Sequence, residues 1–253
     1  MNIQKGQSFQ IIIIGGGMVG LSLAYQLSKR SISNNICILE REKDLGLHSS
    51  GRNSGVLHAG LYYKPNSLKA KICVDGARRL KKWITERGLS INNCGKLIIP
   101  QISELDSQID LLKERGIKNG AEVEIWNEQK IHDLFPYVRT ASGRALWSPN
   151  TCVVNPKEVI NKLKDELIDL GVKIIYECKE YKFSPKNKEI ILNSKNKLNY
   201  YHLFNCSGLY ADLVAKEFNI GKEFHIVPFK GSYWELKTNE KLKINTNIYP
   251  VPD

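Results

Sequence analysis

The stretch "FQIIIIGGGMVGLSLAYQLSKR", residues 9–30, followed by "NNICILE", residues 34–40, decides the fold. Residues 9–14 are a β-branched run ending in glycines, the pattern of a strand buried on both faces of a parallel sheet. Residues 18–30 carry Val19, Leu23 and Leu27 at helical spacing. Residues 34–40 form a second buried strand, so a β-α-β unit is complete within about thirty residues. Between the first strand and the helix lies Gly15-x-Gly17-x-x-Gly20. The first glycine suits the tight turn. The second lets backbone approach a pyrophosphate, and the third lets helix and strand pack closely. The helix N-terminus adds oriented N–H groups and partial positive charge. Glu40 ends the second strand about 20 residues after Gly20, where a carboxylate hydrogen-bonds ribose hydroxyls. A dinucleotide site is therefore expected; a Gly-rich structural turn with Glu40 as a solvated charge is the alternative. The motif alone does not separate NAD from FAD.

Composition limits the remaining classes. The chain has 253 residues, 42% of them hydrophobic, which suffices for a packed core in one large domain or two smaller ones. Six cysteines, at 37, 73, 94, 152, 178 and 206, form no CxxC pair and show no zinc spacing, so reduced thiols and no metal site are expected. The net charge of +11 has its densest run in "RRLKK", 78–82, on an amphipathic helix. No long basic tract or nucleic-acid motif accompanies it, so an ordinary basic surface is favoured over nucleic-acid binding. The apolar run 11–24 is shorter than the ~20 residues a bilayer requires, and glycines interrupt it. A cytoplasmic location without a targeting segment is expected, with peripheral contact on the inner face of the membrane left open.

Further along, helical periodicity predicts helices over 67–87, 103–115, 156–170 and 209–218, and a short one before Pro136. Asn66 or Ser67 is placed to cap the first of these, and Gly88 to end it. Strands are expected at 95–100, 121–126, 143–149, 151–155 and 172–177. A meander over 188–208 turns near Ser194–Asn196, and further strands are expected within 224–237 and near the chain's end.

The segment "HSSGRNSGVLHAG", 48–60, separates the cofactor choices. Glycine backbone and short hydroxyls approach phosphates and an isoalloxazine ring without clash, and an NAD dehydrogenase needs no such second cradle. Together with "LEREKDLGLHSSGRNSGVLHAGLYYKPNSLKAKICVDGARRL", "NCGKLII", "TCVVNPKEVI", "NCSGLYADLVA" and "PFKGSYWEL", it resembles the D-amino-acid-oxidase-like family of FAD-dependent oxidoreductases, along essentially the whole chain. The resemblance implies bound FAD and oxidation of a 2-hydroxy acid, L-2-hydroxyglutarate to 2-oxoglutarate, with electrons passing to oxygen or a quinone. It implies that Gly15, Gly17, Gly20 and Glu40 hold the ADP half, and that Ser49, Asn53, Ser54 and Gly55 line pyrophosphate and flavin. It places Glu180 at the adenine and Gly208 near the pyrophosphate.

Removing the hydroxyl proton calls for a base that titrates near neutrality. Of the five histidines, only His58 directly follows the flavin cradle, so it is the candidate base; packing on the flavin or a covalent flavin link are its alternatives. Arg52, Tyr63, Lys64 and Tyr233 are candidate clamps for a dicarboxylate. The fold expected is α/β: a Rossmann-like FAD domain over 1–89 and 150–218, and a mostly antiparallel substrate domain over 90–149 and 219–253. Members of the family are longer, so this chain is expected to be truncated at its C-terminus. The other readings are a related flavoenzyme acting on an amino acid or glycerol-3-phosphate, and a catalytically silent fragment.

Overall fold

The computed structural model describes residues 6–194, 196–234 and 244–252. In chain order, the first stretch contains β1 (Gln7–Ile14), α1 (Met18–Lys29) and β2 (Ile36–Leu39). Then come β3 (Val56–Leu57), α2 (Leu68–Glu86), β4 (Ile91–Asn92), β5 (Lys96–Ile99), α3 (Ser107–Lys118), β6 (Glu124–Asn127), α4 (Glu128–Leu134), β7 (Arg144–Ser148) and β8 (Cys152–Val154). The remainder is α5 (Pro156–Asp169), β9 (Lys173–Ile175), β10 (Tyr181–Ser184), β11 (Glu189–Leu192), β12 (Asn196–Asn205), α6 (Ala211–Glu217) and β13 (Asn247–Pro250).

Two compact units emerge. The first comprises 1–53 and 156–233, the second 54–155 and 234–253. These boundaries differ from the division expected at 89/90, 149/150 and 218/219. The reason for the first is visible in the pairing. β3 bonds antiparallel to β8, which bonds in turn to β4, so residues 54–89 are tied into the second unit's own sheet.

The first unit is built on a six-stranded sheet in the order β10-β11-β12-β1-β2-β9. The strands β12, β1, β2 and β9 run parallel, and β10-β11-β12 is the antiparallel meander. Burial explains the centre. Ile11, Ile12, Ile13 and Ile14 are 4%, 0%, 0% and 2% exposed, and each isoleucine removed from water contributes about 1.5–3 kcal/mol. Starting from β1, the chain adds β2 and then β9 on one side, and β12 on the other. The reversal makes the carboxyl ends of β1, β2 and β12 a crevice of the kind where open α/β sheets bind ligands.

The second unit holds a four-stranded sheet, β13-β5-β7-β6, and the short β3-β8-β4 sheet. One face of the larger sheet packs Ile98 and Leu146 against Leu61, Ile109 and Leu112. The other packs Leu97 and Ala145 against Trp126, Ile131 and Val138. Ser67 caps α2, its Oγ accepting from the Ala70 N–H at 3.2 Å, and Gly88 follows with φ +63°.

Two expectations are corrected. The helix expected from 103 opens as a 3-10 turn, Ser103–Leu105, before α3 starts at Ser107. Residues 224–234 contain no strand, and 235–237 lie outside the described residues. Phe224, Ile226, Phe229 and Trp234 are all exposed, so the alternation that suggested strands has no buried face to support it.

Candidate functional site: a cavity at the strand ends of the first unit

At the carboxyl ends of β1, β2 and β12 lies a cavity of about 290 Å³. Its floor is Gly15 and Gly17, its acidic wall is Glu40, and Ser49, Ser50, Ser207 and Gly208 contribute small polar surface. Tyr181, Phe183, Tyr210 and Leu213 supply the apolar side.

The glycines are required by what surrounds them. Gly15 has φ +107°, and a Cβ there would overlap the Cys206 carbonyl at the end of β12. The Ile14 carbonyl accepts from the Cys206 N–H, which draws β12's end against the turn. Gly20 packs its bare Cα onto the Gly15 carbonyl, leaving no room for a side chain and letting α1 start immediately above β1. Gly17 precedes α1 in an extended conformation and offers no capping side chain, while the Ser50 Oγ accepts from the Met18 N–H at 2.9 Å. The first turn of α1 itself carries no acidic residue; the carboxylate nearest its positive end is Glu40, which accepts from the Gly16 N–H just before the helix.

Glu40 is 8% exposed. Its Oε2 accepts from the Gly16 N–H at 2.7 Å and its Oε1 from the Glu42 N–H at 2.8 Å. Each oxygen retains a lone pair, so the carboxylate is fixed in direction yet still able to accept from a ribose hydroxyl. Beside it the Arg41 guanidinium lies 4.6 Å over the Tyr210 ring, and Tyr181 stacks on Phe183 at 5.8 Å. Donors at a helix start, a directed carboxylate and aromatic faces are the three elements an adenosine diphosphate needs: one for phosphate, one for ribose, one for a planar base.

Of the cofactor residues expected from sequence, Gly15, Gly17, Glu40, Ser49 and Gly208 line this cavity, and Gly20 stands directly behind its floor. Asn53 lies in the same unit, its Nδ2 donating to the Ser49 and Ser50 carbonyls and so holding the serine turn closed. Glu180 does not line the cavity; its neighbour Tyr181 does. Ser54 and Gly55 belong to the second unit, where Gly55 adopts φ +70° and its carbonyl accepts from the Val154 N–H. Sequence reasoning missed Ser50, Arg41 and Tyr210. Ser50 was legible as the neighbour of Ser49; the two aromatic-wall residues carry no motif.

His58 sits in the second unit. Its Nδ1 is buried with no hydrogen-bond partner among the described residues, and its ring meets Tyr249 edge-on at 6.0 Å. Burial, and then the nearby charge of Lys96, lowers its pKa below the ordinary imidazole value of 6.5. A histidine so held is neutral at pH 7 and has a lone pair to accept a proton. Of the candidate clamps, Arg52 and Tyr233 fall in the first unit and Tyr63 and Lys64 in the second. Arg52 and Lys64 are exposed, Tyr63 is half-buried, and Tyr233 is 75% exposed on the strandless stretch of the first unit.

The fold and cavity define a dinucleotide-binding α/β protein of the kind that holds the cofactor at a strand-order reversal. The profile of the family described as "DAO: FAD dependent oxidoreductase" matches residues 10–253, and the chain belongs to that family. It is 35% identical to the protein named L-2-hydroxyglutarate dehydrogenase, mitochondrial, of Homo sapiens, over 97% of this chain and 56% of that one. It is 35% identical to L-2-hydroxyglutarate dehydrogenase of Indibacter alkaliphilus, over 97% of this chain and 62% of that one. The chain thus spans about three-fifths of the length of these curated relatives. Among solved structures, FAD-bound L-alpha-glycerophosphate oxidase from Mycoplasma pneumoniae superposes with a TM-score of 0.78 at 20% identity, covering 97% of this chain and 66% of that one. Glycine oxidase from Geobacillus kaustophilus gives 0.70 at 15% identity, covering 84% and 59%. These two similarities concern the fold.

Proposed function

We propose that the protein works as an FAD-dependent oxidoreductase of 2-hydroxy acids, converting L-2-hydroxyglutarate to 2-oxoglutarate. The observation that carries the reading is the cavity at the reversal of the parallel sheet, with its glycine floor and directed Glu40 carboxylate. The 35% identity along 97% of the chain to relatives named for that reaction supports the substrate. Gly15, Gly17, Gly20, Glu40 and Gly208 hold the ADP half. Ser49, Asn53, Ser54 and Gly55 serve the pyrophosphate and flavin, and Glu180, outside the cavity lining, reaches the adenine only through the backbone beside its cavity-lining neighbour Tyr181. Bound FAD supplies the two-electron acceptor for the hydride leaving C2. His58 takes the hydroxyl proton, for which its lowered pKa and unpartnered Nδ1 suit it. Arg52, Tyr63, Lys64 and Tyr233 are the clamp residues offered for the two carboxylates.

The electrons pass on to oxygen or to a quinone. Where the acceptor is a quinone, it is reached on this reading by peripheral contact with the inner face of the membrane from a cytoplasmic site; among the described residues no helix is long and apolar enough to cross a membrane. The test is anaerobic addition of L-2-hydroxyglutarate, a neutral amino acid and glycerol-3-phosphate, separately, to the FAD-loaded protein. Loss of flavin absorbance with L-2-hydroxyglutarate alone, with equimolar 2-oxoglutarate formed, is the expected result. Loss with either of the other substrates and none with L-2-hydroxyglutarate overturns the reading.

A further inference from the structure

The second unit contains a lysine that its surroundings do not explain. Lys96 opens β5, pairs in register with Ser148 of β7, and is 0% exposed. Its Nζ has no hydrogen-bond partner among the described residues, and no acidic side chain there forms an ion pair with it. What faces it is the Tyr62 ring at 4.5 Å and the Tyr249 ring at 5.4 Å, with the Cys73 thiol and the His58 imidazole near enough to interact with its charge. Rings attract an ammonium, but more weakly than desolvation penalises it, and burying a cation without an anion is strongly unfavourable. A lysine serving structure alone is better replaced by an apolar residue.

Two further orphans belong to the same group. The Tyr62 hydroxyl and His58 Nδ1 are both buried without a partner among the described residues, and the His58 ring packs edge-on to Tyr249, one of the two rings over Lys96. An ammonium and a phenolic O–H, with nothing among the described residues accepting from them, thus lie in the same group as the unpartnered imidazole nitrogen of His58. The ammonium excludes a cation as the missing ligand. A carboxylate, with two oxygens and four lone pairs, accepts from an ammonium and a hydroxyl at once. His58, Tyr62 and Tyr249 are each partly exposed, so Nζ lies one side chain below the surface.

We propose that Lys96 Nζ and the Tyr62 hydroxyl form a carboxylate-binding site, walled by Tyr249 and flanked by His58, that takes one carboxylate of the 2-hydroxy acid. The site itself follows from the unpartnered groups; its assignment to the hydroxy acid rests on the reaction proposed above. It adds to the reaction a specificity residue that the sequence motifs did not single out.

The experiment follows the Lys96 Cε resonance in the full chain labelled with ¹³C-lysine, identified by its disappearance in Lys96→Met. Glutarate, acetate and inorganic phosphate are added in turn, and melting is recorded alongside. A saturable shift of that resonance with glutarate and acetate, and a glutarate-induced rise in melting temperature, are expected. Lys96→Met should abolish that rise and melt higher than the parent in ligand-free buffer. Tyr62→Phe, which keeps the ammonium and the ring, should weaken glutarate binding about 10-fold. A resonance that responds to phosphate but to neither carboxylate, or to nothing, overturns the site. So does a Lys96→Met variant that melts lower than the parent yet keeps its full response to glutarate, the behaviour of a purely structural lysine. If L-2-hydroxyglutarate fails to reduce the flavin while glutarate still moves the Lys96 resonance, the reaction falls and the carboxylate site stands. If the flavin is reduced while the Lys96 resonance stays unmoved by glutarate, the reaction stands and the carboxylate site falls.

Discussion

Gly20→Ala sets two effects of opposite sign against each other. Gly20 lies inside α1, where alanine in place of glycine ordinarily favours the helix by about 1 kcal/mol. A Cβ at this position, however, would stand 2.0 Å from the Gly15 carbonyl oxygen, against the 3.4 Å at which ordinary contact begins. The obstacle is backbone, part of the turn that leaves β1, and it cannot swing aside as a side chain does. Helix and strand must separate by more than an ångström, and overpacking of this kind costs about 3 kcal/mol, the upper end of the usual range. Net destabilisation of about 2 kcal/mol is expected, and loss of FAD affinity with it, because the same turn forms the cavity floor. Gly76→Ala is the control: it is also mid-helix, in α2, but has nothing within 4 Å of the new Cβ, so it should gain up to about 1 kcal/mol. Urea unfolding measures both. All four tryptophans, Trp83, Trp126, Trp147 and Trp234, belong to the second unit, so fluorescence follows that unit and far-UV circular dichroism follows both. A Gly20→Ala protein as stable as the parent would refute the argument that close helix–strand packing dictates this glycine.

Glu40→Gln should weaken FAD binding about 10- to 100-fold, the worth of a charge-assisted hydrogen bond, as measured by flavin fluorescence titration. His58→Gln should slow flavin reduction by about 10²- to 10⁴-fold. Since burial and Lys96 lower the His58 pKa, the acid limb of the parent's rate profile should lie below pH 6.5; a limb above pH 7 would contradict the role. Burial also pushes Lys96 from 10.5 down to about 8. The native state therefore releases this proton near pH 8, while the unfolded state keeps it to 10.5. Stability from this group should rise with pH across that window by about 3 kcal/mol, and Lys96→Met should remove the rise in pH-dependent urea unfolding.

The local unit β1-α1-β2 was legible because three independent signals coincide there: a continuous apolar run, glycines at fixed offsets and an acid at the strand end. The meander was legible because β11 and β12 alternate around a turn where Asn193 and Ser194 adopt positive φ. The division into units was less so. β3 is two residues long, and only its pairing with β8, some ninety-five residues away in sequence, assigns the segment before α2. Local pattern has no access to a pairing of that range. The stretch 224–234 misled for the converse reason, its apolar residues alternating without a buried face. The candidate site divides likewise. Gly15 and Glu40 were legible through backbone demands, whereas Arg41 over Tyr210, and Lys96 beneath Tyr62 and Tyr249, are juxtapositions that only the tertiary fold creates. Lys96 reads in sequence as an ordinary strand-start lysine; its burial makes it informative.

The central claim is that the cavity at the ends of β1, β2 and β12 holds the adenosine diphosphate half of FAD, and competition at equilibrium tests it most directly. Titrating the purified chain into FAD should quench flavin fluorescence to a one-to-one endpoint, and ADP-ribose should release the flavin while FMN does not. Release by FMN with no effect of ADP-ribose would place recognition in the flavin half and contradict the assignment of the glycine floor and Glu40.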